Sequence, residues 1–395
     1  MLLAPKLSWA EHHHEADALQ ISLLTCGPGA DPYELYGHTA LRVQNELTGE
    51  DLVFNYGIFD FDTPNFGLRF MLGQTDFKMG VTHFYHFAHS YQRDGRSIVE
   101  QVLNLQPDEK IKMLAALDSL WRMEDWTYRY NILYDNCSTR AIDQIKTALN
   151  GQMVLSETEN GKHTFRSVLH EFSSETSPWY AFGEDLILGS EIDHPLEVSK
   201  LLFSPVYAEK YMDSAYVLEA DGARRPLVSR KVTLLEAAQK DKDLFPISPM
   251  TATMLLLVAT LGWCAWEFSR KRLNPWIDYI LMFGTGLAGL IVGFLFFLSE
   301  HPAVGSNWLV LLFNPLPLIY LPFKIRRDRL GKKDYYYRFV GVAIGIIVVT
   351  ALLGLQKYPA EYHFLALILL LRLNMTLFLE KKKNIDTKTA SGLKG

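Results

Sequence analysis

The sequence predicts an α+β domain outside the cytoplasm followed by an all-α bundle of about five transmembrane helices. Three observations lead there. Upstream of about Pro249 charges recur every few residues, whereas downstream long apolar stretches alternate with short basic ones. The basic residues occupy every second loop of the apolar half, which sets its orientation. The upstream half mixes strand-like alternation with helical periodicity. Whole-chain averages conceal this division: 49% of the 395 residues are hydrophobic, yet mean hydropathy is only +0.02.

Residues 1–20 read as a residual or truncated signal. Met1–Lys6 is too short for the apolar core of a signal peptide, although Ser8-Trp9-Ala10 has the look of a cleavage end. Residues 21–249 form the α+β domain, 250–380 the bundle, and 381–395 a basic cytoplasmic tail that reads as disordered. A net charge of −5 and the lack of a basic stripe with interleaved aromatics exclude nucleic acid as the partner. Cys26, Cys137 and Cys264 are too few for a disulfide scaffold and lack zinc-site spacing.

In the upstream half, Leu19–Thr25 alternates as a strand. Thr39–Asn45 and Asp51–Phe59 form a hairpin around Leu47-Thr48-Gly49-Glu50. Pairing across that turn places Leu41, Val43, Phe54 and Tyr56 on a core face. His38, Ala40, Arg42, Asn55, Gly57 and Phe59 fall on the other, expected to be a polar platform. Asp108–Met123 has helical periodicity. A second helix starts at Cys137 or Ser138 and stops at Asn150-Gly151. Ala215–Glu219 and Pro226–Arg230 read as a hairpin about Asp221-Gly222.

The downstream spans are Met250–Phe268, Trp276–Leu298, Asn307–Phe323, Phe339–Leu355 and Ala360–Leu379. Each is near the ~20 residues that cross the hydrocarbon. Arg270, Lys271 and Arg272 lie in the first loop, a six-residue basic set from Lys324 to Lys333 in the third, and Lys381–Lys383 after the last. This alternation leaves the C-terminus cytoplasmic and the N-terminal domain outside. Asn314-Pro315-Leu316-Pro317 breaks or kinks the third span. Arg372, inside the fifth span, either meets a lipid headgroup from within the bundle or snorkels to the cytoplasmic face.

Chemistry concentrates at Cys137, in Tyr134-Asp135-Asn136-Cys137-Ser138-Thr139-Arg140 at a helix start. There the helix dipole favours a thiolate, and backbone N–H groups can cradle an oxyanion. A thiolate with a nearby histidine is the working pair of a cysteine acyl-transfer enzyme. The alternatives are a buried structural cysteine or a disulfide with Cys26 in an oxidising compartment. His38 enters a strand beside Gly37, where it can reach a helix terminus or serve a structural role. Asn55, on the facing strand, is placed to fix the imidazole tautomer or to be a plain surface amide. His83-x-x-His86-x-x-His89 has no acidic partner to complete a metal site.

The stretch from Ile21 to Asp193 resembles the periplasmic domain of the Lnb-type bacterial lipoprotein N-acyltransferases. The matching segments are Leu23–Gly29, Tyr36–Arg42, Val53–Phe61, Tyr134–Arg140 and Phe182–Gly189, with His301-Pro302-Ala303 and Asn307-Trp308 in the membrane half. The order of histidine then cysteine further resembles the permuted papain-like hydrolases and acyltransferases, including the lecithin:retinol acyltransferase group. The resemblance implies a permuted papain-like α+β fold, Cys137 as nucleophile and His38 as base. It also implies a membrane-phospholipid donor and a diacylated-lipoprotein acceptor, in the bacterial inner membrane. It leaves the third catalytic group to geometry, which selects Asn55. Tyr36, Arg42, Asn136, Arg140 and Arg372 are the expected substrate-binding residues, with Arg42 and Arg140 either holders of the donor phosphate or surface arginines without that role. No metal or other cofactor is required. The rival readings are an extracytoplasmic cysteine hydrolase sharing the same pair and a non-catalytic membrane scaffold.

Overall fold

The computed structural model describes residues 16–60, 62–123, 126–238 and 245–392. Most of the expected signal remnant therefore lies outside the described residues. The chain divides into two compact units, Met1–Ser173 with His194–Lys242, and Ser174–Asp193 with Asp243–Gly395.

The first unit is built on a seven-stranded sheet. Its strands are β1 (Leu19–Cys26), β2 (His38–Asn45), β3 (Glu50–Ile58), β4 (Asp76–His83), β5 (Ile98–Leu103), β6 (Tyr128–Arg129) and β10 (Val228–Leu235). They run in the order β10-β5-β1-β2-β3-β4-β6, each pairing antiparallel. Strands β7 (Gln152–Val154), β8 (Tyr216–Leu218) and β9 (Arg224–Pro226) make a smaller sheet. The helices are α1 (Phe66–Leu72), α2 (Phe84–Asp94), α3 (Pro107–Arg122), α4 (Cys137–Ala148), α5 (Phe165–Ser173), α7 (Val198–Leu201) and α8 (Pro205–Ser214). Helix α6 (Pro178–Ile187) belongs to the second unit.

The β2–β3 hairpin forms with Leu41 opposite Phe54 and Val43 opposite Leu52, the register that its alternation predicts. The opposite face departs from the expected polar platform. Helix α2 lays Phe84, Phe87, Ala88 and Tyr91 over Leu24, Cys26, Ala40, Val53 and Ile98, so this face is a second core. Ile21, Leu23, Leu41, Phe54 and Tyr56 on the first face are also buried. There Gln101 Nε2 donates to Glu209 O of α8. The reason is visible in β1, Leu-Gln-Ile-Ser-Leu-Leu-Thr-Cys, which is buried at every position but Gln20, as a doubly covered strand is. The expected 215–230 hairpin is corrected too. Strand β8 pairs with Arg224–Pro226, and Val228 onward leaves to pair with β5.

The second unit holds α6 and helices α9 (Pro249–Arg270), α10 (Trp276–Leu298), α11 (Leu316–Arg329), α12 (Tyr336–Leu352) and α13 (Ala360–Gly392). Among the described residues four segments are long and apolar enough to cross a membrane: α9, α10, Trp308–Arg329 and Ala360–Lys381. The expected fourth span, Phe339–Leu355, falls largely in α12, which has 17 residues and reaches about 26 Å at 1.5 Å per residue. Helix α13 runs on to Gly392 where disorder is expected, since no proline or glycine interrupts it earlier. The third span is broken as its prolines require, with a 3₁₀ turn at Trp308–Leu311 and a restart at Leu316. Asn314 repairs the break: its amide donates to Val310 O and Leu311 O and accepts from Leu316 N. A Cβ on Gly289 of α10 would lie 2.3 Å from the Asn314 backbone, so the small residue admits the broken segment.

Segment 174–193 is woven into this unit. Leu186 O accepts from Asn307 Nδ2 at 2.7 Å, and Gly189 N donates to Ala303 O at 2.7 Å. Tyr362 OH donates to Phe182 O at 2.5 Å, its ring stacked on that of Phe182. The sequence stretches 182–189 and 301–308 thus meet in space.

Arg372 follows neither reading of its place in the fifth span. It is fully buried, with Nη1 2.5 Å from Glu267 Oε2 and Nε 2.7 Å from Asp278 Oδ1. Tyr337 OH also donates to Asp278 Oδ1. Two carboxylates occupy the guanidinium, so it ties α9, α10 and α13 together, leaving no donor turned to a headgroup. Removing one partner of such a buried cluster leaves uncompensated charge. Arg372→Leu is accordingly expected to destabilise the detergent-solubilised protein by about 3–5 kcal/mol. Arg372→Leu combined with Glu267→Leu and Asp278→Leu should recover most of that loss. Thermal unfolding of the two variants beside wild type checks both expectations.

Candidate active site

Two glycines and one asparagine set the site. The chain leaves β1 at Cys26 and re-enters the sheet at His38 through Gly37, whose φ is +78°. A Cβ on Gly37 would sit 2.6 Å from Cys26 O, so both conformation and space demand glycine. At the matching end of β3 the ladder shifts register between Tyr56 and Ile58, with Gly57 at φ +92° and the Tyr130 ring against its open side. Asn136 caps α4. Its Oδ1 accepts from Ser138 N at 2.9 Å and Thr139 N at 3.0 Å, while its amide donates to Ile132 O and Phe203 O. Thr139 Oγ1 accepts from Asn136 N in return, completing a capping box. The first residue of the helix so fixed is Cys137.

His38, Asn55 and Cys137 converge. His38 Nε2 lies 3.2 Å from Asn55 Oδ1, and the imidazole is hydrogen-bonded to the Cys137 sulfur. An Nε2–H spent on the Asn55 oxygen leaves Nδ1 for the sulfur. Asn55 and Cys137 are each only 7% exposed. Burial by itself pushes the Cys137 thiol up. The His38 charge, its hydrogen bond, and backbone hydrogen bonds from Thr39 and Ser138 outweigh that and bring the thiol below its ordinary value. His38 shows the converse: burial pulls it down, but the Cys137 thiolate and the bond to Asn55 leave it above its ordinary value. The pair therefore favours thiolate and imidazolium.

Cys26 lies in the same neighbourhood with the opposite tuning. Burial raises its thiol to about 12, against a hydrogen bond with Tyr91 and the charge of Arg96. Cys26 and Cys137 are both free thiols, so the disulfide alternative is not the arrangement adopted.

The expected substrate-binding residues are drawn elsewhere. Arg42 forms a fork on Asp51 (2.8 and 2.7 Å), bonds Glu100 at 3.0 Å and lies 3.4 Å from the Phe84 ring centre. Its donors are spent inside the fold, which corrects its reading as a phosphate holder. Arg140 is held bidentately by Asp135 at 2.5 Å and covers the Tyr128 ring. Asn136 is the helix cap just described. Tyr36 is buried edge-on to Phe172. Asn136 Oδ1 takes the Thr139 N–H and shares the Ser138 N–H with the Cys137 sulfur.

Tyr130 is the residue that sequence reasoning missed. Its hydroxyl is hydrogen-bonded to the Cys137 sulfur, and burial with the neighbouring thiolate raises its pKa well above the ordinary value. Its ring stacks on Phe77 at 4.5 Å. The alternating Tyr128-Arg129-Tyr130 was the available signal, too short to read as a strand.

Because the Cys137 value is lowered, its thiolate is present above that value and lost as pH falls through it. The raised His38 value extends the imidazolium toward alkaline pH, where it is lost in turn. Iodoacetamide should therefore modify Cys137 near neutral pH and spare Cys26. In His38→Ala the rate should drop about tenfold or more as the thiol returns toward its ordinary range. Peptide mapping after timed alkylation across pH measures this, and equal labelling of the two cysteines would contradict it. Asn55→Ala should slow Cys137 alkylation less than His38→Ala, by roughly tenfold at most, since it removes one orienting hydrogen bond.

Comparison with known proteins identifies the family. No curated protein and no solved structure matches the chain. The family model of the Lnb N-terminal periplasmic domain matches residues 6–171, and that of the Lnb transmembrane domain matches residues 239–384. With a sheet domain carrying Cys137 and a C-terminal helical membrane unit, the chain is an Lnb-type membrane protein with an N-terminal periplasmic domain.

Proposed function

We propose that the protein is a lipoprotein N-acyltransferase that moves an acyl chain from a membrane phospholipid to the α-amine of a diacylglyceryl-cysteine. The observation that carries this reading is the Cys137–His38–Asn55 constellation in an Lnb-type periplasmic domain joined to membrane helices. The Cys137 thiolate attacks the ester carbonyl, forming a carbon–sulfur bond. As the ester carbon–oxygen bond breaks, the His38 imidazolium gives its proton to the departing lysophospholipid oxygen. The lipoprotein amine then attacks the thioester. A carbon–nitrogen bond forms, the thiolate is released, and His38 takes the amine proton.

Asn55 keeps the imidazole turned toward the sulfur through both half-reactions. Tyr130 OH, a donor to the sulfur in the resting site, is placed to serve the oxyanion of each tetrahedral intermediate. The basic loops support a C-terminus in the cytoplasm and residence in the bacterial inner membrane.

Intact-protein mass spectrometry after incubation with phospholipid in detergent tests this directly. Wild type is expected to gain one acyl mass that Cys137→Ala does not gain, and a diacylated lipopeptide should remove it. Removal by water alone would instead make the protein a cysteine hydrolase. An unmodified wild-type protein under the same conditions would reject covalent catalysis altogether.

A further inference from the structure

Helix α1 has the sequence Phe-Gly-Leu-Arg-Phe-Met-Leu, and none of its seven residues is buried. Leu68 is 46%, Phe70 50% and Met71 41% exposed. Its single charge, Arg69, is drawn back by Gln74 O at 3.0 Å and Asp76 Oδ2 at 3.1 Å. The outward surface is therefore largely apolar, and its one cation is neutralised by a half-exposed ion pair with Asp76. Seven residues are too few for a helix to persist alone. Asn65 starts this one in a left-handed conformation with no side-chain cap bond, and Gly73 ends it.

From α1 a row of rings leads to the nucleophile. Phe70 stacks on Phe66 (6.1 Å, 21°), and Phe66 on Phe59 (5.4 Å, 19°). Phe59 lies 5.2 Å from Phe77, and Phe77 stacks on Tyr130 at 4.5 Å. Tyr130 OH reaches the Cys137 sulfur. Exposure falls along the way, from half-exposed Phe70 to Phe77 at 5%.

We infer that α1 and the Phe66–Phe59–Phe77 row bind the hydrocarbon chain of a membrane lipid and lead its carbonyl to Cys137. This deepens the acyl-transfer reading and rests on it for the role of the sulfur. Two features of the molecule select a lipid over a protein partner. The lane is continuous with the nucleophile, so whatever occupies it presents an atom to the sulfur. The side chains of the row, Phe70, Phe66, Phe59 and Phe77, are hydrocarbon throughout, which suits an acyl chain and gives a peptide backbone nothing to bond to. Each methylene laid along it leaves water. An exposed, largely apolar helix with its one charge paired has the composition of an interfacial segment.

The test uses full-length Cys137→Ala in vesicles of phosphatidylethanolamine, part of it carrying a diazirine on one acyl chain, so that binding is read without turnover. Photolysis should place cross-links within residues 66–72 and on Phe59 or Phe77. Cross-links confined to the membrane helices would overturn the inference. In the Cys137-containing protein, Leu68→Ser with Phe70→Ser should raise KM for vesicle phospholipid about tenfold. Acylation of Cys137 by water-soluble p-nitrophenyl acetate should be unchanged, which also shows that the site is folded. An unchanged KM would count against the lane. Cross-linking at 66–72 in a protein whose Cys137 never acquires an acyl mass would keep the lipid site and reject acyl transfer.

Discussion

Four hydrogen bonds converge on the side chain of Asn136, two received from the first turn of α4 and two given to Ile132 O and Phe203 O. Through them the helix start is fastened to the chain before it and to a loop 67 positions later. Cys137 follows immediately and inherits that fixed position. The Cys137 sulfur can meet His38 because the other side of the encounter is equally constrained, by Gly37 at the entrance to β2 and by the Gly57 irregularity in β3. The helix carrying the nucleophile also packs on β2 and β3, so the fastenings at its start and at the strand ends act on elements already in contact.

The electrostatics turn on a contest within a few ångströms. Burial opposes charge on both Cys26 and Cys137, yet only Cys26 ends high. The difference is the partner set: Cys137 has an imidazole and backbone donors, while Cys26 has a tyrosine hydroxyl and a nearby arginine. Arg96 itself is committed to Glu34 at 2.7 Å and Gly27 O at 2.9 Å. One buried thiol is thus kept as a packing group beside another kept as a nucleophile.

Local signals were legible in the sequence. The β2–β3 register, the start of α4, and the placing of His38 and Asn55 on one face of the hairpin follow from alternation, a turn and a helix cap within short windows, whereas the pairing of His38 with Cys137 was implied by the family resemblance alone. What depended on distant partners was not. Arg42 has the residue type of a phosphate ligand, and only the arrival of β5 on the far side of β1 brings in Glu100, 58 positions away, to commit it. Arg372 finds its carboxylates 94 and 105 positions back. The polar platform failed for the same reason, because helix α2 folds over it from outside the window that defined the hairpin. Strand β6 comprises two residues, so Tyr130 carried no periodicity to be read.

The placement of β10 has a further consequence. The periplasmic family model ends at residue 171, yet β10, at Val228–Leu235, is the outermost strand beside β5 in the seven-stranded sheet. Between them, segment 174–193 departs to the helical unit and the chain returns at His194. A fragment cut at the family boundary would bare the backbone of β5 as a new sticky edge. For anyone wishing to crystallise or express this domain apart from its helices, the folding boundary and the evolutionary boundary are different places. An excised domain has to carry residues up to Lys242 and bridge the gap left by 174–193.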